Sequence, residues 1–219
     1  MSNTQQVLAK LNELEGTICQ SISTAVSEEA GQTITFSNPL SSLTPVTELE
    51  SEMNQPWLVI QFAFQGSPDN AQVLLISQDH FISIAQAISG IPVTTVDDTI
   101  ITECRPALEA IVSGLGSAVG QQATESTINF QLFSPTSNFN EAQLFRTNIA
   151  ISGEELSATI VWLMDCRTAS SITGIEIAVE AEHPFMEADS VSSPTTRNES
   201  DSLEILLDIP LEISVELSR

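Results

Sequence analysis

Trp57-Leu-Val-Ile-Gln-Phe-Ala-Phe64, then Gly66-Ser-Pro-Asp-Asn70, then Ala71-Gln-Val-Leu-Leu-Ile76, is the stretch on which the fold turns. Its first eight residues are rich in aromatic and β-branched side chains and read as a strand. The Gly-Ser-Pro-Asp-Asn cluster is turn chemistry, and Ala71–Ile76 is the returning strand. Ser77 or Asp79 caps a helix over roughly Gln78–Ser89, which Gly90 and Pro92 end. Upstream, Val7, Leu8, Leu11, Leu14, Ile18, Ile22, Ala25 and Val26 recur at helical spacing, so the pattern predicts a helix over about Thr4–Ala30 with Gly31 as its stop. Thr33-Ile-Thr-Phe36 alternates like a short strand, and Asn38-Pro39 and Thr44-Pro45 mark a connecting loop.

Downstream of a polar bridge at Pro92–Asp98 the same order returns. A helix is expected over about Thr102–Gln122, a strand at Thr127-Ile-Asn-Phe130 and a loop at Phe133-Ser-Pro135. Leu144–Ile151 and Leu156–Met164 are strands around a turn at Gly153-Glu-Glu155, and a short helix runs from Cys166 to Gly174. Ile175–Val179 reads as one more strand. Thr33-Ile-Thr-Phe36 echoes Thr127-Ile-Asn-Phe130, Gly66 echoes Gly153, and Gly90 echoes Gly174. An internal duplication of helix, strand, hairpin and helix accounts for these echoes. The fold class expected is α+β, with repeats at about 5–92 and 99–175 inside a domain over 1–179, their strands in one sheet and helices packed on it. Trp57 and Trp162 are expected to fill its core.

The charge excludes some functions. Acidic residues number 29 against 6 basic ones, for a net charge of −23. Phosphate-backbone contacts need clustered Lys and Arg, so nucleic-acid binding is excluded, and an anionic membrane surface is disfavoured for the same reason. A basic protein partner is allowed. No apolar run is long enough to cross a bilayer, so no direct membrane insertion is expected. Met1-Ser-Asn-Thr-Gln-Gln lacks the basic and apolar parts of a secretory signal. Cys19, Cys104 and Cys166 are odd in number and far apart, which fits reduced cytosolic thiols.

From Glu180 to Ser202 the chain is polar, acidic and poor in aromatics, and reads as a disordered linker. Beyond it, Leu203-Glu-Ile-Leu-Leu-Asp208-Ile-Pro210 leads to Leu211, Ile213, Val215 and Leu217 alternating with Glu212, Ser214, Glu216 and Ser218. Strict alternation is the mark of a half-buried strand, and one strand cannot fold alone. The chain is therefore expected to stop just inside a second domain, 203–219. This segment resembles the opening of the C-terminal (SpoA) domain of the FliN/FliY flagellar motor switch family, where an LLD-(I/V)-P-(L/V)-E-(I/V)-xVEL stretch leads into a small β-rich domain.

The duplicated architecture resembles the CheC/CheX/FliY phosphatase-like domain. That resemblance implies two pseudo-symmetric sites of pattern Asp/Ser-x3-Glu-x2-Asn-x22-Pro, acting on the phosphorylated chemotaxis response regulator. In that family the Glu docks on the regulator and the Asn amide holds an attacking water; an amide can both donate and accept without adding charge. Here the second half supplies Glu109, Val112 where Asn stands in the pattern, and Pro135. The first half supplies Glu13, Gly16 and Pro39. The leading positions are Ala9 and Arg105. Both glutamates and both prolines are placed, and both asparagines are absent. Glu13 and Glu109 are candidate partner-binding residues, and no confident catalytic residue remains.

Other constellations carry less. Gly114-Leu-Gly116-Ser-Ala-Val-Gly120 has no preceding strand and no Lys, so it fails as a nucleotide loop; its small residues let two helices approach. His80 and His183 sit in no nucleophile motif, and the Cys and His spacings fit no metal site. No cofactor is expected. The resemblance implies a structural, docking component of the flagellar motor switch, cytoplasmic and peripheral at the basal body, in a ring assembly. Its partners would be the chemotaxis response regulator and other switch subunits. A response-regulator phosphatase whose water is held by another group, with Gln20 and Ser113 nearest, is the alternative, and a type III secretion ring subunit is a third reading.

Overall fold

The two hairpins read from the sequence form the middle of one antiparallel sheet in the computed structural model, which describes residues 2–65, 67–124 and 126–177. The chain clusters into two units, Met1–Val179 and Glu180–Arg219. The expected linker and the FliN-like segment lie outside the described residues. The described elements are α1 (Asn3–Ala30), β1 (Thr35–Pro45), α2 (Val46–Glu52), β2 (Pro56–Phe64), β3 (Ser67–Ser77), α3 (Gln78–Ser89), α4 (Asp98–Ala118), β4 (Thr127–Leu132), α5 (Pro135–Asn138), β5 (Gln143–Ser152), β6 (Ser157–Met164) and α6 (Cys166–Thr173). The six strands lie in the order β1-β5-β6-β3-β2-β4, each pair antiparallel.

That order reads the same from either end once the halves are exchanged. Hairpin β2–β3 answers hairpin β5–β6, and β3 meets β6 at the centre. Each half lends its first strand to the other: β1 pairs with β5, and β4 with β2. The α+β duplication expected from the sequence is therefore present, but its register differs from the echo. Leu43 faces Phe145 as Phe130 faces Leu58, so Leu43, not Phe36, is the counterpart of Phe130. Phe36, opposite Ile151, corresponds to Ala123, opposite Phe64. The Thr-Ile-x-Phe likeness is thus local sequence, and pairing decides the equivalence.

Alternation along the strands gives the sheet two apolar faces. On one, Leu58, Ile60, Leu74, Ile76, Phe145, Ile149 and Trp162 meet Val7, Leu11, Ile18, Ile22 and Val26 of α1, Phe81 and Ile84 of α3, and Leu108, Ile111 and Leu115 of α4. On the other, Val59, Val73, Leu75, Val161 and Leu163 meet Val46 and Leu49 of α2, with Met53, Phe133 and Phe139 beside them. Trp162 is fully buried, its indole N–H donating to Gln72 Oε1 at 3.1 Å. Trp57 is only half-buried, at the border of the smaller core.

Local chemistry sets the helix ends. Ser2 and Gln5 form a capping box at α1. Gly31, Gly90 and Gly174 close α1, α3 and α6 with φ of 64°, 69° and 68°, the left-handed conformation that glycine adopts without strain. α4 starts earlier than expected, at Asp98, because the Asp97 carboxylate accepts from the Ile100 N–H at 3.0 Å. It also stops earlier, at Ala118, with Gly120 left-handed two residues on.

Other expectations are corrected. β1 runs on through Pro39 to Pro45 where a loop was expected. It is an edge strand with a register shift between Ser37 and Leu40, the setting in which a strand tolerates proline. Pro135 opens a one-turn helix instead of lying in a loop. β3 takes in Ser67–Asn70, read from sequence as turn. Residues 175–177 form no strand; the Ile177 N–H bonds to Ser170 Oγ at 3.2 Å, and Ile175 and Ile177 pack on the larger core.

Gly114 lies where α1 and α4 touch. A Cβ there would stand 2.8 Å from Ile22 Cα, so the helices approach backbone to backbone. Gly116 serves the turn that follows it: its Cβ would meet the Gln121 carbonyl oxygen at 2.6 Å.

Candidate functional site

One turn of α4 places Glu109 and Val112 on the wall of an open groove of about 610 Å³, lined also by Ser113, Ser117, Gln121, Gln122 and Thr124. Glu109 is exposed and takes Arg105 as an i,i+4 partner at 3.4 Å. An exposed pair of this kind holds weakly, so the carboxylate is free to exchange partners. Val112 is 3% exposed and packs into the larger core. The groove therefore has an apolar base with hydroxyl and amide groups around one carboxylate. Such a wall can dock a polar or basic surface by hydrogen bonds.

The first half arranges its residues differently. Glu13 is exposed on α1, its carboxylate 2.7 Å from Lys10 Nζ. Gly16 is exposed, with open space where a Cβ would stand. Pro39 is half-buried in edge strand β1. Pro135 is buried at the start of α5, which packs with α2 on the sheet face away from α4. The structure thus brings Glu109 and Val112 together and sets both prolines apart from them.

The left-handed glycines supply a common origin for the two long helices. The residue after each, Gln32 and Gln121, donates its side-chain amide to α3 and α6 respectively: Gln32 to the Ala87 carbonyl, Gln121 to the Ser171 carbonyl at 3.5 Å and Oγ at 3.4 Å. Ala87 and Ser171 each stand three residues before a left-handed cap, Gly90 and Gly174. Counted back from Gly31 and Gly120, Glu13 lies eighteen residues away and Glu109 eleven. The two glutamates are thus out of step by about two helical turns, roughly 10 Å along the axis. Gln20 and Ser23 occupy the α1 positions that match Glu109 and Val112.

Gln20 and Ser113 come together. With Thr17, Ser21, Thr24, Glu28 and Ser117 they line a groove of about 420 Å³ along α1 and α4, and Ser113 and Ser117 are shared with the Glu109 groove. Sequence reading missed Ser117, Gln121, Gln122 and Thr124. The signal was Gly120, which could have been taken as the helix stop.

The cysteines are built into the packing. Burial pushes the Cys104 thiol up to about 11, with the Glu103 carboxylate adding to it. Burial also raises Cys166, to about 12, helped by a hydrogen bond and charge from Glu141. Glu141 accepts from the Cys166 backbone N–H at 2.9 Å as well, tying the loop before β5 to the start of α6. Cys19 is raised by burial and by Glu15. Thiols held protonated are poor nucleophiles and poor metal ligands. Among the described residues no group of three His, Cys, Asp or Glu side chains could hold a metal. His80 lies in the first turn of α3, while His183 lies outside the described residues. No helix among the described residues is long and apolar enough to cross a membrane.

No protein-family model matches this chain, and no curated protein matches it in sequence. Solved structures do match in fold. FliY of Thermotoga maritima superposes with a TM-score of 0.67 at 10% identity, over 78% of this chain and 95% of that one. The FliM middle domain of H. pylori gives 0.63 at 11% identity, over 78% and 98%. A chain of a FliG–FliM complex from H. pylori gives 0.62 at 11%, over 77% and 98%. The described domain has the fold of these FliY and FliM structures.

Proposed function

We propose that this chain is a docking and structural component of a flagellar motor switch, cytoplasmic and peripheral at the basal body, and that its duplicated domain has lost a phosphatase's catalytic group. The observation that carries the second half of this reading is Val112. It stands where the phosphatase-like pattern has a water-holding amide, and it is an apolar side chain buried in the core. Ser23, the α1 residue that matches Val112, has no amide either, and its hydroxyl already accepts from the Phe36 N–H at 2.9 Å. The first half of the reading is supported by the fold shared with FliY and FliM, and by the FliG–FliM complex in which one neighbour was solved. The FliN-like wording of Leu203–Leu217 agrees with it. Partners would then be other switch subunits and the chemotaxis response regulator, in a ring, with Glu109 and Glu13 as acidic contacts.

A second reading, a response-regulator phosphatase with a substitute amide, is favoured by Gln20 and Ser113 lining one groove. One assay separates the two: decay of a phosphorylated chemotaxis response regulator, alone, with the natural chain, and with Val112→Asn, each variant checked for folding by circular dichroism. The docking reading expects binding without faster decay from the natural chain. Acceleration by the natural chain that Gln20→Ala abolishes would establish the enzyme. Pull-down of switch subunits by the natural chain, lost in Glu109→Lys, tests the docking role directly.

A further inference from the structure

Among the described residues the sheet ends in two unlike edges. At one, β1 carries Pro39, Pro45 and a register shift between Ser37 and Leu40, each of which interrupts the row of free backbone groups. At the other, β4 carries nothing of the kind. Thr127-Ile-Asn-Phe-Gln-Leu132 has no proline, glycine or charge, and it pairs regularly with β2 over all six residues. Its Leu132 is 68% exposed and Phe130 is half-buried. Edge strands are ordinarily blunted by charge, proline or bulges, because an open edge is a template for another strand. One edge of this sheet follows that rule and the other does not.

We propose that β4 pairs antiparallel with β4 of a second copy, about a two-fold axis at Phe130, joining two sheets edge to edge. Residues directly opposite in an antiparallel pair share a face, so the axis must pass through a residue position. Phe130 is the position that matches the exposed Leu132 with Ile128 of the second copy. The same register sets Phe130 against its own copy and Asn129 against Gln131. Apolar thus meets apolar on the helix-covered face, and amide meets amide on the other. The occupant is a second copy because the strand is self-complementary and uncharged: a basic peptide would find no carboxylate on it. Two chains each of net charge −23 repel at long range, so association strengthens as salt screens that repulsion.

The test is molar mass by light scattering on the full chain, over a concentration series at low and moderate salt. The expected result is a shift from 23.6 kDa to twice that mass, at lower concentration when salt is added. Leu132→Lys, at an exposed position, should raise the dimer dissociation constant about a hundredfold, since both copies lose an apolar pair and gain a charge. Phe130→Cys should oxidise to a covalent dimer and Gln131→Cys should not, because only residue 130 faces its own copy at disulfide distance. Circular dichroism checks that each variant is folded, and if Phe130→Cys is not, Leu132→Lys decides. A monomer at all concentrations and salts, or a dimer that Leu132→Lys leaves intact, would overturn the proposal.

Discussion

Replacing Gly114 by alanine pits helix propensity against helix packing in a single methyl group. The added Cβ would lie 2.8 Å from Ile22 Cα, 3.1 Å from Ile22 N and 3.2 Å from the Ser21 carbonyl oxygen. All three are backbone atoms and cannot rotate aside. Comfortable carbon–carbon contact is about 3.5 Å or more, so α1 and α4 must part by several tenths of an ångström. Overpacking of this kind costs about 1–3 kcal/mol. Alanine returns about 1 kcal/mol through its higher helix propensity. The net is a loss of about 1 kcal/mol, which in a chain of this size lowers the melting temperature by about 2–4 °C. Gly16→Ala is the internal control, because it is the same substitution on α1 with open space around the new methyl. It should raise stability by about 1 kcal/mol. Thermal and urea unfolding, followed by the emission of buried Trp162, measure both. Equal gains from the two substitutions would refute the close crossing of α1 and α4 at Gly114.

Alkaline pH should destabilise the fold. Cys104 and Cys166 keep their protons in the native state up to about 11 and 12, while in the unfolded chain they ionise near the ordinary value of 9.0. Stability from these thiols is complete below pH 9 and is lost as pH rises through 11 and 12. Urea midpoints between pH 8 and 11 should fall, and fall less in Cys166→Ser; a level profile contradicts the burial argument. At the buried Gln72–Trp162 pair, the two partners should respond unequally. Gln72→Leu orphans the indole N–H but removes an amide Nε2 that has no protein partner, so it should stay within about 1 kcal/mol of the natural chain. Trp162→Phe leaves a cavity and an unpaired amide oxygen, and should cost roughly 2–4 kcal/mol in the same unfolding assay.

The parts of the fold legible in the sequence are those set by local chemistry. Helix α1 was read from its apolar spacing and Gly31, and α3 and α6 from the glycines that cap them. The two hairpins followed from β-branched runs around turn residues. The misread parts depend on distant partners. Pro39 and Pro45 read as loop residues because nothing nearby shows that β5 pairs with Pro45 and with the residues on either side of Pro39, which makes the segment an edge strand. The Thr-Ile-x-Phe echo misled for the same reason, since equivalence between the halves is fixed by which residues face each other across the sheet. At the site, Glu109 and Val112 were legible as helical neighbours. The amide-rich turn beside them was not, because α4 was expected to run through Gln122. The step between Glu13 and Glu109 became visible only when both helices were measured from their left-handed glycines.

The exchange of first strands sets an order on synthesis. The Thr35 carbonyl of β1 accepts from Ser152 Oγ of β5, and Ser41 meets Thr147 of the same strand, at separations of 117 and 106 residues. A ribosome adds about 5–20 residues per second, so β1 waits roughly 5–20 s for its neighbour β5. β4 has no such delay, because β2 has already emerged when β4 is made. The prolines and the register shift in β1 therefore guard the strand that stays longest without a mate, when a stray pairing with another nascent chain would be most costly.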